Sequence, residues 1–151
     1  MSRFRITIDS NLTEVCLVSR AVRGICDCLG LDAVQASSVE LCTVEAVTNV
    51  IKHSYLGAPG HQVSLEVSIK QDRLELDVRD QGVTMPEKNV KQLSSGSSVF
   101  EFDPADLDHV PEGGMGLEII RQGMDKASYS SNAGTNSLKL TKFLKLTRSH
   151  A

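Results

Sequence analysis

Apolar residues at the start of the chain are spaced first like a strand and then like a helix. From Phe4 to Ile8, apolar and polar residues alternate, which predicts a half-buried β-strand. From Val15 to Leu29, apolar residues recur at helical spacing, which predicts an amphipathic helix. We expect Ser10 or Thr13 to cap the start of this helix and Gly30 to end it.

A second and longer helix is predicted from about Asp32 to His53. The segment after it, Tyr55 to Gly60, is rich in turn residues and predicts a loop. The apolar stripe of this helix is expected to consist of Leu41, Val44, Thr48 and Ile51.

Two further alternating segments, Val63 to Ile69 and Leu74 to Val78, predict a β-hairpin. Each strand has one apolar and one polar face, as expected for a sheet that helices cover on one side only. From Gln81 to Gly113 the periodicity disappears. A connection of this length without clear structure is uncommon in a small domain and is usually functional or disordered.

The end of the chain predicts one more helix and one more hairpin. The helix is expected from Met115 to about Met124, and the hairpin has strands from Lys126 to Ser131 and through Leu144, joined at Asn132 to Gly134. The order of elements predicts an α+β two-layer sandwich, with helices on one face of a mixed, mostly antiparallel sheet. We expect a single domain over residues 1–147 and a short tail over residues 148–151.

The composition narrows the classes of function. Of the 151 residues, 40% are hydrophobic and only 4% aromatic, so one domain with an aliphatic core is expected. The net charge of −3 argues against nucleic acid or an anionic membrane as a partner. No segment predicts a membrane span or a secretion signal, so a cytoplasmic location is expected. The four cysteines show no zinc or disulfide pattern and are expected to be small buried thiols.

Three groups of residues could bind a ligand or take part in a reaction. Glu45 and Asn49 are four residues apart, so both side chains project from one face of the second helix. Asp80 is at the end of a strand, and Gly82 follows two residues later, where a turn or a ligand site explains the pair equally well. The glycines of residues 113–116 precede a helix, whose N-terminus is suited to bind a phosphate. The usual P-loop sequence is absent.

Together these groups carry a resemblance to a known family. The segment VELCTVEAVTNVIKH, Val39 to His53, resembles the N-box of the GHKL superfamily, whose members have the Bergerat or histidine-kinase-like ATPase fold. Within that superfamily it is similar to the anti-sigma-factor serine kinases. Asp80 to Gly82 resembles the first glycine box, residues 113–117 resemble the second, and residues 132–135 resemble the last nucleotide-contacting motif. Thr84 stands where many relatives have a second glycine.

The resemblance implies ATP and Mg²⁺ as cofactors and a role for each matching residue. Glu45 would be the general base, Asn49 would bind Mg²⁺, and Asp80 would accept a hydrogen bond from the adenine amine. Residues 81–113 would form an ATP lid. Gly82 would leave room for the purine. The remaining nucleotide-contacting positions would be Lys52, His53, Gly113, Gly114, Met115, Gly116, Leu117 and Thr135.

The same resemblance implies a protein-serine kinase that acts as a partner-switching regulator. It would phosphorylate a small anti-sigma-antagonist protein of the STAS type and sequester a sigma factor or another regulatory protein. A homodimer is compatible with the family, and Arg20 and Arg23 are either partner contacts or solvated charges. One alternative is an ATP-binding interaction switch with little or no kinase activity. Another is the detached ATPase half of a histidine kinase.

Overall fold

The computed structural model describes residues 1–94 and 115–145. A short 3₁₀-helix, Leu12–Glu14, precedes the first α-helix, and a π-helical turn, Val50–Ser54, follows the second. The other elements are β1 (Ser2–Asp9), α1 (Val15–Cys28), α2 (Ala33–Asn49), β2 (Gln62–Ile69), β3 (Arg73–Asp80), α3 (Glu87–Ser94), α4 (Met115–Gly123), β4 (Lys126–Asn132) and β5 (Thr135–Phe143).

The strands form one sheet in the order β1-β2-β3-β5-β4, and every pairing between these described strands is antiparallel. At its centre, Leu76 of β3 lies opposite Val67 of β2 and Leu140 of β5, and all three are buried. The polar residues that alternate with them face the other side of the sheet, because successive side chains of a strand point to opposite faces. The predicted α+β two-layer sandwich is confirmed.

The helical layer is organised around α2, which contacts both α1 and α4. The predicted apolar stripe of α2 is wrong for Leu41, whose surface is 47% exposed. A Cβ added at Gly123, the last residue of α4, would lie 2.4 Å from Cys42 Sγ, so glycine permits the close approach of α2 and α4. The buried face of α2 accordingly consists of small residues and valines: Ala36, Val39, Cys42, Thr43, Ala46 and Val47.

The ends of the first two helices are set by local hydrogen bonds. The cap predicted at Ser10 or Thr13 is wrong, because the side chain of Asn11 accepts from the Thr13 backbone N–H at 3.0 Å. The Ser10 hydroxyl instead donates to the carbonyl of Ala58 at 2.7 Å and so joins β1 to the loop before β2. Gly30 has a φ of +74°, the left-handed conformation expected at a helix end.

Two elements were not predicted. The second helix does not continue unchanged to His53, because the Tyr55 N–H donates to the carbonyl of Val50, five residues earlier. The helix α3 lies in the segment for which no structure was expected. The rest of the predicted lid, residues 95–113, lies outside the described residues, as does the predicted tail.

The cysteines divide into two classes, contrary to the expectation that all four are buried. Cys26 and Cys42 are buried, whereas Cys16 and Cys28 are exposed, and all four are free thiols. Burial raises the pKa of each buried thiol to about 11. None of the described helices combines the length and hydropathy that a membrane span requires.

Candidate functional site

A cavity of about 210 Å³ opens between the end of α2, the end of β3 and strands β4 and β5. One part of its wall is polar and includes Asn49, His53 and Asp80. Ligand pockets usually measure about 300–1,000 Å³, so the cavity that the described residues line is smaller than a typical ligand pocket. The apolar part of the wall consists of Ala46, Val50, Val83, Met85, Pro86 and Leu138.

Asp80 is the buried acidic group of this cavity, with 4% of its surface exposed. Its Oδ1 accepts two hydrogen bonds, from the Gly82 backbone N–H at 2.9 Å and from Asn136 Nδ2 at 2.8 Å. In the described part of the chain, Oδ2 receives no hydrogen bond. Oδ2 is not among the buried side-chain atoms that lack a partner in this part of the chain, so it remains accessible and can accept a hydrogen bond from a ligand donor.

Gly82 is required by the packing of the protein itself. A Cβ at this position would lie 2.3 Å from the carbonyl oxygen of Ser54. The neighbouring Val83 N–H donates to that same oxygen at 2.8 Å. The missing side chain therefore allows the loop after β3 to pack on the π-helical turn, and the predicted space for a purine stays a prediction.

Asn136 is the site residue that sequence reasoning missed. It is 1% exposed and donates through Nδ2 both to Asp80 and to the Gly82 carbonyl, the latter at 3.0 Å. The predicted contact, Thr135, is the preceding residue of β5 and lies at a second polar depression, which Tyr55, Arg79 and also Asp80 line. Strand alternation explains the difference, because Asn136 shares its face with Leu138 and Leu140. The alternation of apolar and polar residues in the sequence of β5 already indicated this face.

Two more side chains extend the polar wall. The Tyr129 hydroxyl accepts from the Met85 backbone N–H at 2.9 Å, and burial raises the pKa of Tyr129. The hydroxyl therefore stays protonated at neutral pH and can still donate to a ligand. Thr84 Oγ1 donates to Asn136 Oδ1 at 3.4 Å, so the residue in the place of the second glycine joins the same network.

The end of α2 brings Asn49 and His53 to the cavity but leaves Lys52 away from its wall. Asn49 is half-buried and is the last α-helical residue before the π-helical turn. Both Lys52 and His53 are exposed. Single π-helical turns inside α-helices are frequent at functional sites, and this one contains His53.

Glu45 lies against the first turn of α4. An added Cβ at Gly116 would be 2.8 Å from Glu45 Oε2 and 3.8 Å from its Cδ. The predicted base and the second glycine box are therefore adjacent in space, although about 70 residues separate them along the chain. Met115 begins α4, and Leu117 is buried in the core, so only its backbone can serve a ligand. Gly113 and Gly114 lie outside the described residues.

The donors at this site suit Mg²⁺-nucleotide better than a metal ion alone. No cluster of three or more His, Cys, Asp or Glu side chains that could hold a metal exists within residues 1–94 and 115–145. Mg²⁺ usually takes one or two protein oxygens and completes its shell with water and substrate phosphates. The amide oxygen of Asn49 fits that requirement, and Asp80 fits a donor group of the base.

The proposed partner contacts on α1 differ in their environment. Arg23 donates to Ser37 at 3.1 Å, to Glu40 at 3.1 Å and to Asp27 at 3.2 Å. The hydrogen bonds to Ser37 and Glu40 join α1 to α2, whereas Asp27 lies on α1 itself. The bonds to Glu40 and then to Asp27 raise the pKa of Arg23. Arg23 therefore has a structural role, whereas Arg20 is exposed.

Solved structures share this fold. The RsbU and RsbW domains of a Mycobacterium tuberculosis protein match with a TM-score of 0.63 and 16% identity, over 95% of this chain and 33% of that chain. The SiaB–SiaC complex from Pseudomonas aeruginosa matches with a TM-score of 0.58 and 13% identity, over 92% of this chain and 89% of that chain.

The chain is also similar in amino-acid sequence to serine-protein kinases. The chain is 25% identical to the serine-protein kinase RsbW of Bacillus mycoides (strain KBAB4) over 142 residues, which cover 94% of this chain and 85% of that protein. It is 29% identical to RsbW of Bacillus velezensis over 129 residues, or 85% of this chain and 77% of that protein. The family model for the histidine kinase-like ATPase domain matches residues 8–142 of this chain. The resemblance drawn from the motifs is thereby confirmed, and the chain belongs to the histidine kinase-like ATPase domain family.

Proposed function

We propose that the chain is an ATP-dependent protein-serine kinase and an anti-sigma-type partner-switching regulator of the cytoplasm. The observation that carries the proposal is the position of Glu45. Its carboxylate lies against Gly116 at the first turn of α4, one helical turn from Asn49 on α2. A carboxylate beside both a candidate Mg²⁺ ligand and a candidate phosphate-binding turn is suited to accept a proton during phosphoryl transfer.

The nucleotide would be held by residues from both layers of the fold. Asp80 would accept from the adenine amine, and Asn49 would bind Mg²⁺ through its amide oxygen. The backbone of residues 113–116 and the N-terminus of α4 would bind the phosphates. Bound Mg-ATP would supply the phosphoryl group, and Glu45 would take the proton of the partner's serine hydroxyl.

The partner would be a small anti-sigma-antagonist protein of the STAS type. One protein of similar fold was solved as a complex with a second protein, SiaB with SiaC, which supports a protein partner for this chain. A phosphoserine carries about two negative charges at neutral pH. Since this chain already carries a net charge of −3, the modified partner would be repelled. In the other state the chain would bind a sigma factor or another regulator.

The test uses the purified chain, radiolabelled Mg-ATP and candidate STAS-type proteins from the same organism. We expect a phosphate on the partner that is stable to acid and labile to strong base, as for phosphoserine. Glu45→Gln should lower the transfer rate by about 10²- to 10⁴-fold, the usual contribution of a general base, with little change in ATP affinity. Asp72→Asn removes the same charge at the exposed turn between β2 and β3 and should leave the transfer rate unchanged.

The outcomes separate the alternatives. ATP binding without phosphate on any partner would favour the interaction switch with little or no kinase activity. Full activity of Glu45→Gln would refute the catalytic role of Glu45. Failure to bind ATP would refute the proposal as a whole.

A further inference from the structure

Asn136 uses its whole amide group inside the protein. Nδ2 donates to Asp80 Oδ1 at 2.8 Å and to the Gly82 carbonyl at 3.0 Å. The amide oxygen accepts from Thr84 Oγ1 at 3.4 Å. The orientation of the amide is fixed by chemistry, because a carboxylate and a carbonyl oxygen only accept and must both face the NH₂ group. Asn136 therefore has no freedom to turn within this network.

This network determines the orientation of the Asp80 carboxylate, with one oxygen bonded inside the protein and the other left for a ligand. The Asn136 amide and the Gly82 N-H both donate to Oδ1, at 2.8 Å and 2.9 Å. A rotation of the carboxylate out of its present plane would break both hydrogen bonds at once, so the network holds the plane of the group fixed. Asp80 is 4% exposed and lines the cavity. Its Oδ2 is therefore a hydrogen-bond acceptor in a fixed position for a ligand in the cavity.

A fixed acceptor discriminates between purines. The exocyclic amine of adenine donates a hydrogen bond, whereas guanine carries a carbonyl oxygen at the same ring position. With guanine, the carbonyl oxygen and the Asp80 oxygen would face each other, and neither acceptor would have a donor. Sites that hydrogen-bond a substrate amine strongly reject analogues that lack it. If Asp80 could turn or shift, water could enter and the discrimination would weaken.

We propose that Asn136 is the positioning residue that sets the preference of this site for an amine-bearing purine nucleotide over an oxo-purine nucleotide. The inference rests on the proposed function only in requiring that the cavity bind a purine nucleotide. Asn136 lies outside the motifs that identified the site, and its proposed role is to select the purine base. Asn136 would act through Asp80, to which its amide donates.

The experiment measures the dissociation constants of ATP and GTP by calorimetry for the wild-type chain and for Asn136→Ala. The wild type should prefer ATP by about 100-fold or more, because a buried unpaired acceptor is strongly unfavourable. In Asn136→Ala the ratio of the two constants should fall by about 10-fold or more, mainly through weaker ATP binding. Ser137→Ala is the matched control, because Ser137 is the next residue of β5 and donates to Asp77 on the opposite face of the sheet. It should keep the wild-type ratio.

A second variant protects the test against misfolding. Thr84 is exposed, so Thr84→Val should fold normally and should lower the ATP-to-GTP preference by about 3-fold, since one weaker hydrogen bond to Asn136 is lost. An equal loss of ATP and GTP affinity in Asn136→Ala would indicate a merely structural role and would overturn the proposal. Equal binding of both nucleotides by the wild type would overturn it while leaving the nucleotide site intact. A wild-type chain that binds neither nucleotide would refute the proposed function and this inference together.

Discussion

The contact between Gly116 and Glu45 gives a sharp prediction for Gly116→Ala. The new Cβ would lie 2.8 Å from Glu45 Oε2, whereas ordinary van der Waals contact begins at 3.4 Å. The carboxylate would therefore move by at least about 0.6 Å, and a displacement near 1 Å at a reacting group can reduce the rate by about 10²-fold. We expect the kcat of phosphoryl transfer to fall by about 10- to 100-fold.

The same substitution should not destabilise the protein. The obstructing atom is the end of a flexible side chain, and alanine is more favourable than glycine in a helix by up to about 1 kcal/mol. Thermal denaturation should therefore show an unchanged or slightly higher Tm for Gly116→Ala. Gly24→Ala is the matched control: Gly24 lies within α1, and a Cβ there would meet nothing within 4 Å. It should raise the Tm in the same way and leave kcat unchanged.

Two results would refute this reasoning. Wild-type kcat in Gly116→Ala would show that the position of Glu45 does not matter for the chemistry. A large fall in Tm would show that Gly116 is needed for folding, so that a slower reaction would say nothing about Glu45.

The remaining predictions concern packing and thiol chemistry. Gly82→Ala would place a Cβ 2.3 Å from the rigid backbone carbonyl of Ser54, so urea denaturation should show a loss of about 1–3 kcal/mol of unfolding free energy, typical of overpacking; an unchanged midpoint would contradict the packing of this loop. A thiol reagent at pH 8 should modify two cysteines rapidly in the native chain and four after denaturation, because Cys26 and Cys42 are buried and their pKa values are raised to about 11. Above the ordinary thiol pKa of 9.0 the unfolded chain loses these protons first, so stability should fall as the pH rises from about 9 towards 11; a flat stability profile there would contradict the burial of the thiols.

The sheet was predictable because its strands alternate cleanly, and alternation fixes both the strand and the face. The same rule identifies Asn136, since it shares the parity of Leu138 and Leu140. The motif suggested Thr135, which lies on the other face of the strand at a depression that Asp80 also lines, and its role near the base stays a prediction.

Other features depend on contacts that no local pattern contains. The π-helical turn after Asn49 has only five residues, too few for periodicity to distinguish it from a continued α-helix. The need for glycine at positions 82 and 116 arises from Ser54 and Glu45, which are distant in sequence. The helix α3 has only eight residues and two apolar side chains, too few to show a period.

The most direct test of the central claim is a crystal structure of the chain with Mg²⁺ and a non-hydrolysable ATP analogue. The account predicts the adenine amine within hydrogen-bonding distance of Asp80 Oδ2, with Oδ1 still bound to Asn136. It also predicts Mg²⁺ bound by the amide oxygen of Asn49, with the phosphates at the first turn of α4 beside Glu45. A nucleotide bound elsewhere, or a base without contact to Asp80, would contradict it.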